Sequence, residues 1–206
     1  MAGGLTLGTI AQASDRDCRS VATLPFDLLD SSVQADIEGR QAEDIARARR
    51  ATERARRLLA DLPAFCPVDV APAASAIDRA RERYRYLHRC NGCEFDIARQ
   101  LDADLVLVGW AQKVSSLILN INAVIREVDT GVDLAGGSVD MRSNTDQAWR
   151  RATRTLVSDI LRRSYNATVS KVQSPEAAKS TIPRRIELTS RANPAAPSAA
   201  SVSGSR

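Results

Sequence analysis

The sequence has few aromatic side chains and a single histidine. Phe, Trp and Tyr make up 4% of the 206 residues, so a core must be built mainly from Leu, Ile, Val and Ala. His88 is the only histidine, and no Gly-x-Ser-x-Gly elbow, P-loop or GxGxxG motif accompanies it. The sequence therefore establishes no enzymatic activity, and we expect no cofactor.

The folded part of the chain lacks an excess of positive charge. The formal net charge is +4, but from Ser170 onward six basic residues stand against two acidic ones and account for all of it. The arginines of residues 43–62 lie opposite an apolar helical stripe, and we interpret them as a solvated face. A basic groove is not predicted, which argues against a nucleic-acid partner.

No apolar run reaches the ~20 residues that span a bilayer. The first 13 residues, MAGGLTLGTIAQA, hold a short apolar run and an Ala-x-Ala pattern before Ser14. Small residues at those positions suit signal peptidase, although a basic n-region is missing. We interpret this segment as a truncated signal peptide, with an ordinary leader as the alternative. Export would place the protein in the periplasm or outside the cell, where four cysteines fit an oxidising compartment.

Hydrophobic periodicity predicts an α/β (α+β) fold in one domain, residues 18–165, followed by a disordered basic tail over 166–206. We expect a mixed sheet in the order β-α-β-α-β-β-β-α with helices packed on it. The predicted strands are residues 20–26, 65–72, 105–115, 117–129 and 132–142, and the predicted helices are 43–62, 75–88, 94–100 and 143–163.

Several stretches of this chain resemble known families. The segment LVLVGWAQKVSSLILNINAVIREVDTG is similar to the long hairpin of the α/β domain found at the N-terminus of TolB and in the CsgG and LpoB envelope proteins. CNGCEFDIARQLDADLVLVGWAQKVS, LNINAVIREVDTG and SVDMRSNTDQAW together resemble an uncharacterised family of secreted proteobacterial proteins, over roughly residues 20–163. This resemblance implies an envelope accessory domain that binds other proteins, and it brings no activity with it.

A sheet of that kind favours one of the three cysteine connectivities. Cys18 and Cys66 would both lie at the N-terminal ends of parallel strands, while Cys90 and Cys93 would lie together before a helix. The resemblance therefore favours the pairs Cys18 with Cys66 and Cys90 with Cys93. Disulfide bonds between two copies of the chain are an alternative to these pairs. A homo-oligomer is likewise left open.

The stretch HRCNGCEFDI also allows other chemistry at its CxxC motif. A thiolate at a helix N-terminus is stabilised by the helix dipole, so Cys90 and Cys93 are candidates for a thiol–disulfide redox site. Against this, the motif follows a helix rather than a strand, and Glu94 disfavours a thiolate. His88, Cys90 and Cys93 together have the ligand types of a zinc site, although oxidation competes for the thiols.

One polar surface is predicted on the central hairpin. Trp110, Gln112 and Lys113 on one strand would face Asn120 and Asn122 on the next. If exposed, a tryptophan beside amides is typical of a protein-recognition surface, whereas a tryptophan under a helix belongs to the core. Our leading hypothesis is an exported, non-catalytic interaction domain with an envelope protein partner, and the alternative is a redox protein or sensor using the CxxC motif.

Overall fold

The computed structural model describes residues 18–173. Its six strands are β1 (Arg19–Thr23), β2 (Asp27–Asp30), β3 (Phe65–Pro67), β4 (Leu105–Ser115), β5 (Ile118–Glu127) and β6 (Asp133–Met141). Its α-helices are α1 (Val33–Glu38), α2 (Ala42–Ala60), α3 (Ala74–Tyr84), α4 (Cys93–Gln100), α5 (Asp146–Arg154) and α6 (Arg162–Gln173). Short 3₁₀ turns occupy Ala71–Ala73 and Leu87–Arg89, and a π-helical segment, Thr155–Leu161, joins α5 to α6.

The strands form one mixed sheet in the order β3-β1-β4-β5-β6. β1 pairs in parallel with both β3 and β4, and β4, β5 and β6 form an antiparallel meander. β2 continues along β4 beyond the break at Pro25, so that β1 and β2 share the same side of one long strand. The predicted mixed sheet with packed helices is confirmed.

The first face of the sheet is covered by α2, α5, the π-helical segment and α6. On α2, buried residues recur at intervals of three and four, at Ala48, Ala51, Ala55 and Leu59, and their small side chains let the helix approach the strands. Gly137 of β6 lies against the π-helical segment, where a Cβ atom would overlap the side chain of Ile160. Apolar burial on this face forms the larger of the two cores.

The second face is covered only in part. α3, α4 and the 3₁₀ turns pack over β1 and the first half of β4, around Leu24, Val106, Val108 and Ile97. Beyond Val108 and Val124, no helix among residues 18–173 covers the meander, and side chains on this face become exposed. The sheet therefore has one closed face and one half-open face.

Some elements differ from their sequence-based predictions. No element was predicted between the strand over 20–26 and the helix over 43–62, but this segment contains β2 and α1. The helix predicted over 75–88 is α3, which ends at Tyr84 because Arg85 adopts a positive φ of 59°. α6 continues to Gln173, past the point at which the tail was expected to begin. The predicted signal peptide and the remainder of the predicted tail lie outside the described residues.

Candidate functional site

The candidate site is the uncovered part of the second sheet face, which we call the open face. The pairing of β4, β5 and β6 aligns its side chains in two rungs. The first rung is Trp110, Asn122 and Ser138, and the second is Gln112, Asn120 and Asp140. Gln112, Ser138 and Asp140 are exposed, and the other three are partly buried. The structure thus brings together four of the five predicted interaction residues.

The two asparagines of the open face are hydrogen-bonded to each other. Asn122 Nδ2 donates to Asn120 Oδ1 over 2.6 Å. Each amide still has a free donor or acceptor to offer across an interface, because a primary amide carries two N–H groups and two lone pairs. Beside them, Gln112 adds a third amide that makes no side-chain hydrogen bond within residues 18–173.

Trp110 is held in place by His88. The two rings stack with their centroids 4.8 Å apart and their planes 12° apart. His88 Nδ1 lies 2.7 Å from Asp27 Oδ2, and the His88 backbone N–H donates to the same oxygen over 2.9 Å. Because both partners are almost fully buried, this contact fixes the ring on which Trp110 rests. Trp110, which is partly buried against the second core, therefore rests on a ring that is itself held by Asp27.

The Asp27–His88 pair resembles half of a catalytic triad, but the surrounding residues do not complete one. His88 Nε2 is buried and has no hydrogen-bond partner within the described chain. A nucleophilic mechanism needs a hydroxyl or thiol within hydrogen-bond reach of that nitrogen, and residues 18–173 place none there. We assign His88 a positioning role for Trp110.

Large apolar side chains extend the open face at one end. Leu117 and Ile118, at the turn between β4 and β5, are 70% and 62% exposed. Val33 and Ile37, one helical turn apart on α1, are 72% and 78% exposed. α1 contributes no buried residue to either core, and it lies beside the end of β4, where the Ser31 N–H donates to the Lys113 carbonyl. Exposed apolar side chains therefore lie at this end of β4 and on α1.

Lys113 does not belong to the open face, so its predicted place there is wrong. Its side chain points to the opposite face and is only 1% exposed. Nζ donates to Asp44 Oδ2 over 2.7 Å and to Asp30 Oδ2 over 3.1 Å. Burial alone would lower the pKa of Lys113, but these bonds outweigh it and raise the pKa above its ordinary value.

The Lys113 cluster continues through Asp44 into α5. Asp44 Oδ1 accepts hydrogen bonds from Asn144 at 2.7 Å and from Arg47 at 2.8 Å, and Asn144 Oδ1 accepts one from Trp149 Nε1 at 2.9 Å. Burial would raise the pKa of Asp44, yet the bonds from Lys113, Asn144 and Arg47 hold it below its usual value. This network stabilises the closed face, and sequence reasoning missed it.

The structure joins the cysteines in the two favoured pairs. Cys18 is bonded to Cys66 with a Cα–Cα distance of 5.6 Å, because β1 and β3 are adjacent and Ser20 pairs with Cys66. Cys90 is bonded to Cys93 with a Cα–Cα distance of 5.5 Å, and Cys93 is the first residue of α4. None of the cysteines is free.

The surroundings of the CxxC motif do not favour redox or metal chemistry. Cys90 is 1% exposed, and Glu94 Oε2 lies 3.0 Å from its sulfur, where a carboxylate opposes formation of a thiolate. Glu94 is in turn paired with Arg126 at 2.7 Å. Cys90, Cys93 and Glu94 lie close enough to share an ion, but both sulfurs are bonded to each other and His88 is engaged with Asp27.

Comparisons with known proteins identify a family without an assigned activity. A family described as "Protein of unknown function (DUF2380)" matches residues 19–161, and no curated protein matches the chain. Among residues 18–173, no helix has the length and apolar character of a membrane span.

Several solved structures are similar to the chain at low sequence identity. The LpoB C-terminal domain from Salmonella enterica is 16% identical to the chain. The match covers 61% of this chain and 83% of the LpoB chain, with a TM-score of 0.41. The lipoprotein GNA1162 from Neisseria meningitidis is 14% identical over 76% of this chain and 98% of its own, with a TM-score of 0.41. The PelC dodecamer from Paraburkholderia phytofirmans is 12% identical over 72% of this chain and 89% of the PelC chain, with a TM-score of 0.40.

Proposed function

The chain belongs to the DUF3280 family of proteins of unknown function, and we propose that it is an exported, non-catalytic domain that binds a partner protein of the cell envelope through its open face. The observation that carries the proposal is the two-rung surface on β4, β5 and β6. A well-formed sheet face is usually covered by helices or another sheet. Here it is left uncovered by residues 18–173 and is populated by side chains suited to recognition.

The composition of the open face supports a protein partner. Tryptophan is enriched at the centre of protein interfaces, where its ring supplies apolar area. The amides of Gln112, Asn120 and Asn122 supply directional hydrogen bonds without the desolvation cost of a full charge. The apolar groups of Leu117, Ile118 and α1 add area that gains most when it is removed from water.

Location in an oxidising compartment is supported by the two disulfides. Such bonds persist in the periplasm or outside the cell and are rare in a reducing cytosol. Intact mass after alkylation of protein from its native cells tests this point. We expect no alkylated thiols before reduction and four afterwards. Free thiols at Cys90 and Cys93 in freshly lysed cells would contradict the assignment.

A single charged substitution tests the open face. Gln112→Arg places a long cation in the middle of the second rung, and we expect the variant to fold normally and to lose its co-purifying partner. Gln147→Arg is the matched control, because Gln147 is also exposed but lies on α5, behind the closed face. Retention of the partner by the Gln112 variant, or its loss from both variants, would refute the proposed surface.

A further inference from the structure

A cleft that we call the arginine cleft lies on the other side of the sheet, between α2 and α5. It has a volume of about 190 Å³ and a floor of Ala51, Trp149 and Thr153. Five arginines line it, against the carboxylates of Glu53 and Asp146. Since α2 and α5 pack on the closed face, this cleft is separate from the open face and from the proposed partner site.

Two of the arginines already have anionic partners. Arg47 Nε lies 2.9 Å from Asp146 and its guanidinium 2.8 Å from Asp44. Arg50 lies 2.6 Å from Glu43 and 3.1 Å from Asp146. These ion pairs hold one wall of the cleft and neutralise the charges of Arg47 and Arg50.

The other three arginines are unpaired. Arg54, Arg57 and Arg150 form no ion pair or side-chain hydrogen bond with another residue of the described chain. Arg54 is the most informative of them, because its Nε atom is buried from solvent and has no acceptor. A buried N–H donor without an acceptor loses its hydrogen bond to water without replacement, and the penalty is larger when the group is charged. Such a donor at a cleft wall indicates a ligand that supplies the acceptor.

The charge and size of the cleft define the ligand class. Within the described chain, the three unpaired guanidiniums outnumber the one unpaired carboxylate of the cleft, that of Glu53, which leaves a net charge of about +2 for a ligand to neutralise. Guanidinium N–H forks match the oxygen geometry of phosphate. A phosphate monoester carries about −1.5 to −2 charge at pH 7. We propose that the arginine cleft binds a phosphate monoester group, held by Arg54, Arg57 and Arg150, from a soluble metabolite or from a lipid headgroup.

Nuclear magnetic resonance of the arginine side chains tests the proposal on the whole protein. Inorganic phosphate is titrated at constant ionic strength while the Nε–H signals are recorded. We expect a saturable shift of the Arg54 signal that weakens as the pH falls through about 6, where phosphate loses its second charge. Absence of a saturable shift, or an equal response to nitrate, would overturn the proposal.

Matched variants separate a built site from general attraction. Arg54→Gln should weaken phosphate binding by about tenfold or more, as expected for loss of a charged hydrogen bond. Arg49→Gln removes the same charge from the same helix, but Arg49 lies outside this cleft. We expect it to weaken phosphate binding by less than about twofold, because salt screens the attraction between an exposed charge and a distant phosphate. Arg150→Gln, at an exposed position, is a second test if the first variant folds poorly. Equal weakening by Arg49→Gln and the cleft variants would refute a specific site.

Vesicles identify the source of the phosphate group. Co-sedimentation with phosphatidic acid vesicles, abolished by Arg54→Gln and absent with phosphatidylcholine, would assign the cleft to a lipid headgroup. Saturable binding of inorganic phosphate without sedimentation would assign it to a soluble phosphate monoester. Because these measurements involve no partner protein, their failure leaves the open-face proposal unaffected, and failure of the open face leaves them unaffected.

Discussion

The buried Lys113 cluster gives the sharpest stability prediction. Replacing Lys113 with methionine keeps the length and apolar stem of the side chain and removes its charge. Asp30 and Asp44, whose side chains are 0% and 2% exposed, then lose their shared cation. Breaking a buried ion pair by removing one partner costs about 3–5 kcal/mol. For a domain of this size, that corresponds to a drop in Tm of roughly 6–20 °C.

The pH dependence of that loss distinguishes an electrostatic cause from a packing defect. In the native protein the pKa of Asp44 is lowered, so the stability that its carboxylate contributes is present at neutral pH and is lost as pH falls through that lowered folded pKa. Without Lys113, only Asn144 and Arg47 still oppose the effect of burial on Asp44, so the pKa of Asp44 lies higher in the variant than in the wild type, and protonation then relieves the variant. We expect the difference in unfolding free energy between wild type and variant to shrink as pH falls from 7 toward 4.

Urea unfolding followed by circular dichroism measures both quantities. Gln112→Met is the control, because it introduces the same side chain one residue away on the exposed face and should change stability by less than about 0.5 kcal/mol. A Lys113→Met variant as stable as wild type at pH 7 would refute the reasoning. So would a destabilisation that is the same at pH 4 and pH 7.

Two further substitutions test the covalent and packing parts of the fold. The Cys18–Cys66 disulfide closes a loop of 48 residues, so its removal by Cys18→Ser and Cys66→Ser should lower the free energy of unfolding in urea by about 3–4 kcal/mol. Removal of the Cys90–Cys93 disulfide, which closes a much shorter loop, should cost less, and equal costs would contradict this. Gly137→Ala places a methyl group against Ile160 and should cost about 1–3 kcal/mol. Ile160→Ala should restore part of that loss, and additive effects of the two changes would show that they do not touch.

The sequence predicted most of the sheet because its strongest signals are local. The alternation in β4 and β5 and the three-and-four spacing of α2 report burial directly. β2 escaped prediction because it has only four residues, two of them aspartates, and it becomes a strand by pairing with the far half of β4.

The candidate site was predicted less completely. Period-two alternation assigns Trp110 and Gln112 to one face of the strand and Lys113 to the other, so the prediction that placed Lys113 beside them overlooked that alternation. What the sequence does not reveal is that Lys113 is buried against Asp44, which is 69 residues away in sequence. The arginine cleft depends likewise on the distant packing of α5 against α2, so its arginines are indistinguishable from a solvated face in the sequence alone.

Photo-crosslinking in the native cells tests the central claim most directly. A photoreactive phenylalanine analogue is introduced at Gln112 or Ser138 on the open face, and at Gln147 behind the closed face as the control. The account predicts one discrete adduct of the same mass from both open-face positions and none from the control. No adduct from the open face, or the same adduct from all three positions, would contradict the claim that this face binds a partner protein.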